Sequence, residues 1–295
     1  MLIQLFFRFV GRRLHSLAIV SVCGIVLGVL GSWFWFAELF SHFLPYYTLI
    51  FILATLFGSG VARSVWATCA VLCSAWLINP HWQDESDLPR KWSLLWYNVN
   101  VNNPQPEKEV AFILRQQPEM LALAEINLDD KRWAVLQEHY PHGCVQREHS
   151  PFALAVLSKT PLRHCAVHYI RDIPYIRAVT QDATAIYALH PPPPLNGHLA
   201  DIRQEYLYTV AQHIATDPNV LIVGDLNSTP FSPVFRQFLQ ITEAELHTRN
   251  YLPTWQPFAL NIDHVLSHSS TLDEVHIQPL PWQYSDHRPI LVHWH

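Results

Sequence analysis

Asn219-Val220-Leu221-Ile222-Val223-Gly224-Asp225-Leu226-Asn227 is the stretch on which the fold turns. Four aliphatic residues in a row, bounded by polar ones, read as a strand buried on both faces. That strand runs into Asp225, and Asn227 lies two residues on, on the same side by the strand period. Gly224 lets another backbone come close. Burying a carboxylate is costly unless it is paired or holds a metal, so a buried strand that ends in an acid and an amide reads as the wall of a site.

Outward from this strand, the pattern alternates. Apolar runs of strand length occur at 93–99 (SLLWYNV), 120–126 (MLALAEI), 152–157, 183–189, 262–266 and 289–293. Between the first two, Val110, Ile113 and Leu114 recur at helical spacing within 107–117, and 203–215 reads as a second helix. Residues 93–126 thus form a strand–helix–strand unit. The proline run 191–194 is a stiff loop and not a linker, because strands and helices continue beyond it. Mixed elements with few long gaps indicate one α/β domain, with no internal repeat. Periodicity does not say which strands pair.

The chain as a whole is 50% hydrophobic and 15% charged over 295 residues, far from the composition of a disordered chain. The apolar excess lies at the front. Residues 1–80 hold four basic residues (Arg8, Arg12, Arg13, Arg63) and one acid, Glu38, leaving 15 Lys+Arg against 23 Asp+Glu in the rest. The acidic body argues against attachment to nucleic acid through a broad basic face. Residues 14–36 carry no charge and match the length that crosses a bilayer, with Trp33 and Trp35 near the end where interfacial aromatics sit. Glu38, Ser41, His42 and Pro45 make a polar break. Residues 46–78 are too long for one upright span and are interrupted by Gly58, Ser59, Gly60 and Arg63. This implies two short spans turning at Arg63 and three helices in all, one long kinked span being the alternative. A cleaved signal peptide has a single short apolar core and does not fit. Arg8, Arg12, Arg13 and Arg63 favour the cytoplasm. Three crossings then put the body, beginning near Pro80, on the extracytoplasmic (periplasmic) side of a multi-pass membrane protein, and two would leave it in the cytoplasm. Cys144 and Cys165 are the only cysteines of the body. They either pair, as an oxidising compartment allows, or stay as buried thiols.

Polar residues cluster at strand ends. Asn98 and Asn100 share a face two apart, and Glu125 ends MLALAEI between residues that favour burial. Asp225 is placed to take a proton from water, and Asn227 to hold a phosphoryl oxygen. Asp263-His264 and Asp286-His287 each set an acid beside a histidine, the second at a loop entering the last strand; Asp263 is suited to fix a histidine tautomer. His190 ends 183–189, whereas His164 and His168 read as solvated surface. No HExxH, P-loop, GxSxG or paired CxxC element is present, which weighs against zinc protease, NTPase and serine hydrolase chemistry.

Taken in order, Asn98, Glu125, His190, Asp225–Asn227 (GDLN), Asp263 (IDHVL) and Asp286–His287 (SDHRP), with FALAVLSKTPL and the Pro253-Thr254-Trp255 triplet, resemble the endonuclease/exonuclease/phosphatase superfamily from about Lys91 to His295. The apolar front resembles its bacterial membrane-anchored members. The resemblance implies a four-layer α/β sandwich, with two packed mixed sheets flanked by helices, at 91–295 behind a membrane region at 1–80. It implies a hydrolase of phosphodiesters, nucleic acid or phospholipid headgroup, that uses Mg²⁺, Mn²⁺ being possible as well; no protein partner is implied. Position by position, Glu125 matches the principal metal ligand, Asp286 a second acidic ligand, and Asn98 a residue beside the metal. Asp225 matches the group that orients or deprotonates water, Asn227 a phosphate-binding amide, and His287 the histidine next to the phosphate. His190 matches the histidine assigned to leaving-group protonation, and Asp263 the carboxylate that supports it. Two positions depart from the pattern. Ala124 stands where a Gln is frequent, and Asn100 replaces an Asp found in some nucleases, which removes a possible ligand for a second ion. A non-catalytic membrane scaffold is the alternative function. A transporter fits worse, for the spans hold no acid pair.

Overall fold

The computed structural model describes residues 2–78, 92–147, 150–269 and 275–294. The boundaries expected near Pro80 and Lys91 lie outside the described residues. The chain forms two compact units, one of Met1–Pro80 with Thr229–Pro233 and Arg249–Tyr251, the other of the remainder.

The first unit is helical. α1 (Leu2–Val29) ends in a 3-10 turn, and α2 (Trp35–Glu38) leads through a second 3-10 turn into α3 (Leu44–Phe57), followed by α4 (Gly60–Leu77). Three segments, Phe9–Ser32, Trp35–Phe57 and Gly60–Leu77, are long and apolar enough to cross a membrane. The break between the last two falls at Gly58 and Ser59, both extended, with Gly60 at φ +56°. It does not fall at Arg63, which sits in the first turn of α4 and donates from Nε to the Gly58 carbonyl at 3.0 Å. Glycine conformational freedom ends a helix; an arginine, a good helix former, does not. The unit's apolar cluster gathers Ala18, Leu44, Phe51, Trp66 and Phe231. Glu38 and His42, the polar break, are buried in the same unit and bond the side chains of Ser232 and Thr229.

The second unit is a sandwich. Its elements in order are β1 (Trp92–Asn98), α5 (Pro106–Gln116), β2 (Met120–Ala124), α6 (Lys131–His139), β3 (His142–Val145), β4 (Leu154–Ser158), β5 (His164–Ile170), β6 (Ile173–Val179), β7 (Ala185–Leu189), α7 (Gly197–Ile214), β8 (Asn219–Asp225), α8 (Pro233–Thr242), β9 (Glu245–Leu246), β10 (Asp263–Ser269), β11 (His276–Pro279) and β12 (Ile290–Trp294). They form two six-stranded sheets, β11-β12-β1-β2-β4-β3 and β5-β6-β7-β8-β10-β9. Both are mixed: β1–β2 and β7–β8 are parallel, their neighbours antiparallel.

Alternation along the strands makes the layers. Leu94, Trp96, Ala122 and Val156 from one sheet meet Ile176, Ala188, Leu221 and Val223 from the other in a central core. Leu95, Tyr97, Leu121 and Leu123 point the other way, onto Val110, Ile113, Trp133 and Leu136 of α5 and α6. Tyr187, Val220 and Ile222 likewise meet Leu207, Val210, Phe235 and Phe238 of α7 and α8. This is the four-layer α/β sandwich. Cys144 on β3 and Cys165 on β5 form a disulfide that joins an edge strand of one sheet to an edge strand of the other.

The register brings one set of strand ends together. Asn98 pairs with Ala124 at the C-terminal ends of β1 and β2. Leu189 pairs with Gly224 at those of β7 and β8, and Asp225 faces Asp263 at the start of β10. Several elements differ from the sequence reading. The strand at 120–126 stops at Ala124 because Glu125 turns left-handed (φ 58°), and α7 starts six residues before 203. His164 and His168 lie on an edge strand, where His168 is half-buried against Tyr175 at 5.1 Å.

Candidate active site

Beyond the C-terminal ends of β1, β2 and β8, three non-glycine residues adopt left-handed backbone: Asn100 (φ 63°), Glu125 (φ 58°) and Asn227 (φ 47°). This conformation is uncommon outside glycine and clusters at functional sites. Asn100 and Asn227 therefore do not continue the two-residue alternation that the sequence suggested. Each reaches the site by a turn instead.

Asn98 sits at the centre, fully buried. Its Nδ2 lies 2.9 Å from Glu125 Oε1, 3.2 Å from Asp225 Oδ2 and 3.5 Å from His287 Nε2. Glu125 Oε2 accepts from the Val101 N–H at 2.9 Å, and Asp286 Oδ1 accepts from Asn100 Nδ2 at 2.6 Å. Both carboxylates are thus tied to one segment, residues 98–101. The second oxygen of Asp286 accepts from Trp255 Nε1 at 2.9 Å. The amide that Asn100 offers to Asp286 could not be supplied by an aspartate.

Opposite them lies an acid–histidine set. His287 Nδ1 is 2.8 Å from Asp263 Oδ2, and Trp96 Nε1 donates to Asp263 Oδ1 at 2.9 Å, across the two sheets. The ring that Asp263 holds is therefore His287 and not His190. His287 Nε2 faces Asp225 Oδ2 at 3.6 Å. His190 is buried, with Nε2 3.7 Å from Asp225 Oδ2 and 3.8 Å from Glu125 Oε1, and its Nδ1 has no hydrogen-bond partner among the described residues. Asn227 stands at the margin, its Nδ2 donating to the Pro191 carbonyl at 2.9 Å and its N–H to Asp225 Oδ1 at 3.0 Å.

Electrostatics follow from this crowding of acids. Burial lifts Asp225 to about 7, with His287 opposing and Asp263 adding. Burial alone would lower His287, but Asp263 and Asp225 outweigh it and raise the ring to about 10. Burial lowers His190 against the pull of Glu125. Asp225, Asp263 and His287 have ligand atoms within 4.8 Å of one another. His287 bonds Asp263 and, raised to about 10, keeps its ring protonated with no lone pair to give, so these three make a proton-handling set more readily than an ion cage. Glu125 and Asp286 offer carboxylate oxygens, the hard donors that magnesium or manganese prefers, and Asn98 stands beside them with Nδ2 toward Glu125 and Oδ1 accepting from the Asn100 N–H at 3.0 Å, so the carboxylates present fit such an ion.

Two contributors were not singled out in the sequence. Trp96 orients Asp263 from within an apolar run that conceals it. Arg203 on α7 is 1% exposed and donates from Nη1 to the Asn227 carbonyl at 2.8 Å and to Ser228 Oγ at 2.7 Å. Its signal was present: Arg203 falls at helical spacing from buried Ala200, Tyr206 and Leu207.

A family model described as the Endonuclease/Exonuclease/phosphatase family matches residues 95–287. Among solved structures, the chain is similar to the human nocturnin catalytic domain with bound sulfate anion (TM-score 0.55, 14% identity, 71% of this chain and 96% of that one). It is similar to sphingomyelinase C from Streptomyces griseocarneus (TM-score 0.52, 16% identity, 70% and 99%). It is also similar to a mutant of Staphylococcus aureus beta toxin with bound magnesium ions (TM-score 0.51, 16% identity, 68% and 99%). At these identities the likeness is one of fold. No curated protein matches the chain in sequence. The family model spans well over half of the chain and runs from β1 to the His287 loop, so the chain belongs to the Endonuclease/Exonuclease/phosphatase family.

Proposed function

We propose that this protein is a divalent-metal-dependent phosphodiesterase, held in a membrane by its N-terminal helices. The observation that carries the reading is the convergence of Glu125, Asn98, Asp225 and the Asp263–His287 pair at one set of strand ends. Glu125 and Asp286, with Asn98 beside them, would hold Mg²⁺ or Mn²⁺. Such an ion, when bound, neutralises phosphoryl and leaving oxygens. The chain's own groups do the rest. Asp225, with a carboxylate that burial makes more basic, orients a water and takes its proton. His287, fixed by Asp263, presents Nε2–H to a phosphoryl oxygen. His190, whose Nε2 also lies near Asp225 Oδ2, offers an N–H to the substrate, and the Asn227 amide leaves Pro191 to bind a phosphoryl oxygen.

The substrate class is a phosphodiester, with a lipid headgroup favoured over nucleic acid. The acidic body and the apolar helices support this choice, as does the fold likeness to a protein named sphingomyelinase C. The Cys144–Cys165 disulfide supports an oxidising, extracytoplasmic location for the catalytic unit, and Arg8, Arg12, Arg13 and Arg63 support a cytoplasmic N-terminus with three spans at 1–80. The domain boundaries 1–80 and 91–295 are part of the proposal.

The test is full-length protein in detergent, assayed against sphingomyelin and phosphatidylcholine vesicles and against single- and double-stranded DNA, with Mg²⁺, Mn²⁺ or EDTA. Headgroup release that needs the metal and falls at least about 100-fold in Glu125→Gln supports the proposal. Metal-dependent cleavage of DNA alone would move the substrate to nucleic acid. Absence of turnover on every diester would refute the enzyme and leave the scaffold.

A further inference from the structure

We infer that Glu109, a residue outside the site, is a positioning residue for the loop that carries Asp286 and His287. The inference rests on the reading of that loop as catalytic.

Glu109 lies on α5 in the sequence Pro106-Glu107-Lys108-Glu109, which by composition is a solvated first helical turn. Instead its side chain is fully buried. One oxygen, Oε1, takes four donors: Tyr97 Oη at 2.9 Å, Asn103 Nδ2 at 3.2 Å, the Tyr284 N–H at 2.8 Å and the Ser285 N–H at 2.9 Å. The other oxygen, Oε2, is buried with no hydrogen-bond partner among the described residues. A carboxylate with one oxygen idle is a costly way to satisfy two main-chain amides. What the charge supplies is strength, since hydrogen bonds to an ionised acceptor are about twice as strong as neutral ones.

The loop it grips leads directly to the site. Ser285 Oγ donates to the Asn98 carbonyl at 2.8 Å and accepts from the His287 N–H at 3.0 Å. Glu109 therefore fixes Ser285, and Ser285 fixes His287 to the residue at the centre of the site. Asp286 is held further on by Asn100 and Trp255. Tyr97, on β1, joins the same oxygen from the adjacent strand, so helix, strand and loop meet on one atom. Without that acceptor, two buried amides lose their partner and the loop is free to shift by the ångström that separates productive from unproductive geometry.

The experiment uses the full-length protein with Mg²⁺ and bis(4-nitrophenyl) phosphate, together with hydrogen exchange of the amides of 281–290. Glu109→Gln is expected to lower kcat by about 10- to 100-fold with KM unchanged, and to speed exchange at Tyr284 and Ser285 by about tenfold or more. Glu109→Asp restores the charge and part of kcat. Tyr97→Phe leaves the acceptor of both amides in place and changes kcat by less than about threefold. Faster exchange with unchanged kcat would overturn the inference, as would a kcat loss without faster exchange. If Glu109→Gln does not fold, Ser285→Ala breaks the next link, and unchanged kcat in that variant would overturn it. A wild-type protein that hydrolyses no diester refutes the catalytic reading instead, and the exchange result then still decides whether Glu109 holds the loop.

Discussion

Asp263 Oδ2 lies 2.8 Å from His287 Nδ1, while the other oxygen of Asp263 accepts from Trp96. The carboxylate is fully buried and cannot rotate away without breaking both bonds. It fixes the ring with Nε2 toward Asp225 and holds the imidazole charged, raised to about 10.

Asp263→Asn keeps the shape of this pair and removes its charge. Hydrolysis of bis(4-nitrophenyl) phosphate is expected to fall by about 10²- to 10⁴-fold in kcat with the fold intact. The His287 ring should titrate at lower pH, as followed by its carbon-bound proton resonances. A variant with wild-type kcat would remove the dyad from the mechanism.

His264, next in the chain, predicts a stability profile. It is buried between Thr248 Oγ1 and the Ser228 carbonyl, and burial lowers it from 6.5 to about 4. The unfolded chain therefore takes up a proton that the folded protein refuses. The contribution of His264 is complete above pH 6.5, is lost progressively as pH falls toward 4, and is flat below, a change of about 3 kcal/mol. Denaturant unfolding at pH 7 and 4.5 should show a larger acid loss for the wild type than for His264→Gln, by about 2 to 3 kcal/mol. Equal acid losses would contradict the assignment.

The disulfide predicts a reductant effect. Cys144 and Cys165, 21 residues apart, tie the two sheets together, while Cys23, Cys69 and Cys73 are free. Reduction or Cys144→Ser is expected to cost about 2 to 4 kcal/mol. Protein taken from cells and denatured without reductant should label at three thiols out of five. Labelling at all five would place the catalytic unit in a reducing compartment.

The parts legible in the sequence are those where one signal dominates. The buried strand 219–223 carries a short apolar run bounded by Pro218 before it and by Gly224 and the acid Asp225 after it, a length that suits a strand and is too short for a helix. The hairpin of β5 and β6 escaped because HCAVHYI mixes polar and apolar residues, as edge strands do, and its tight turn uses Arg171 in left-handed backbone where glycine is the usual marker. The partner of Asp263 is not legible either, since the tertiary fold and not spacing brings His287, on the loop before β12, to it. Glu109 escaped for a related reason: PEKE looks like a solvated turn, and only the tertiary fold brings the Tyr284 and Ser285 amides to it.

The central claim is that Glu125 and Asp286 share one ion, each already bound to the segment 98–101. Crystals soaked in Mn²⁺ and measured at its absorption edge test this directly. The account predicts one anomalous peak in contact with both carboxylates, lost in Glu125→Gln. A peak seated only among Asp225, Asp263 and His287 would contradict it.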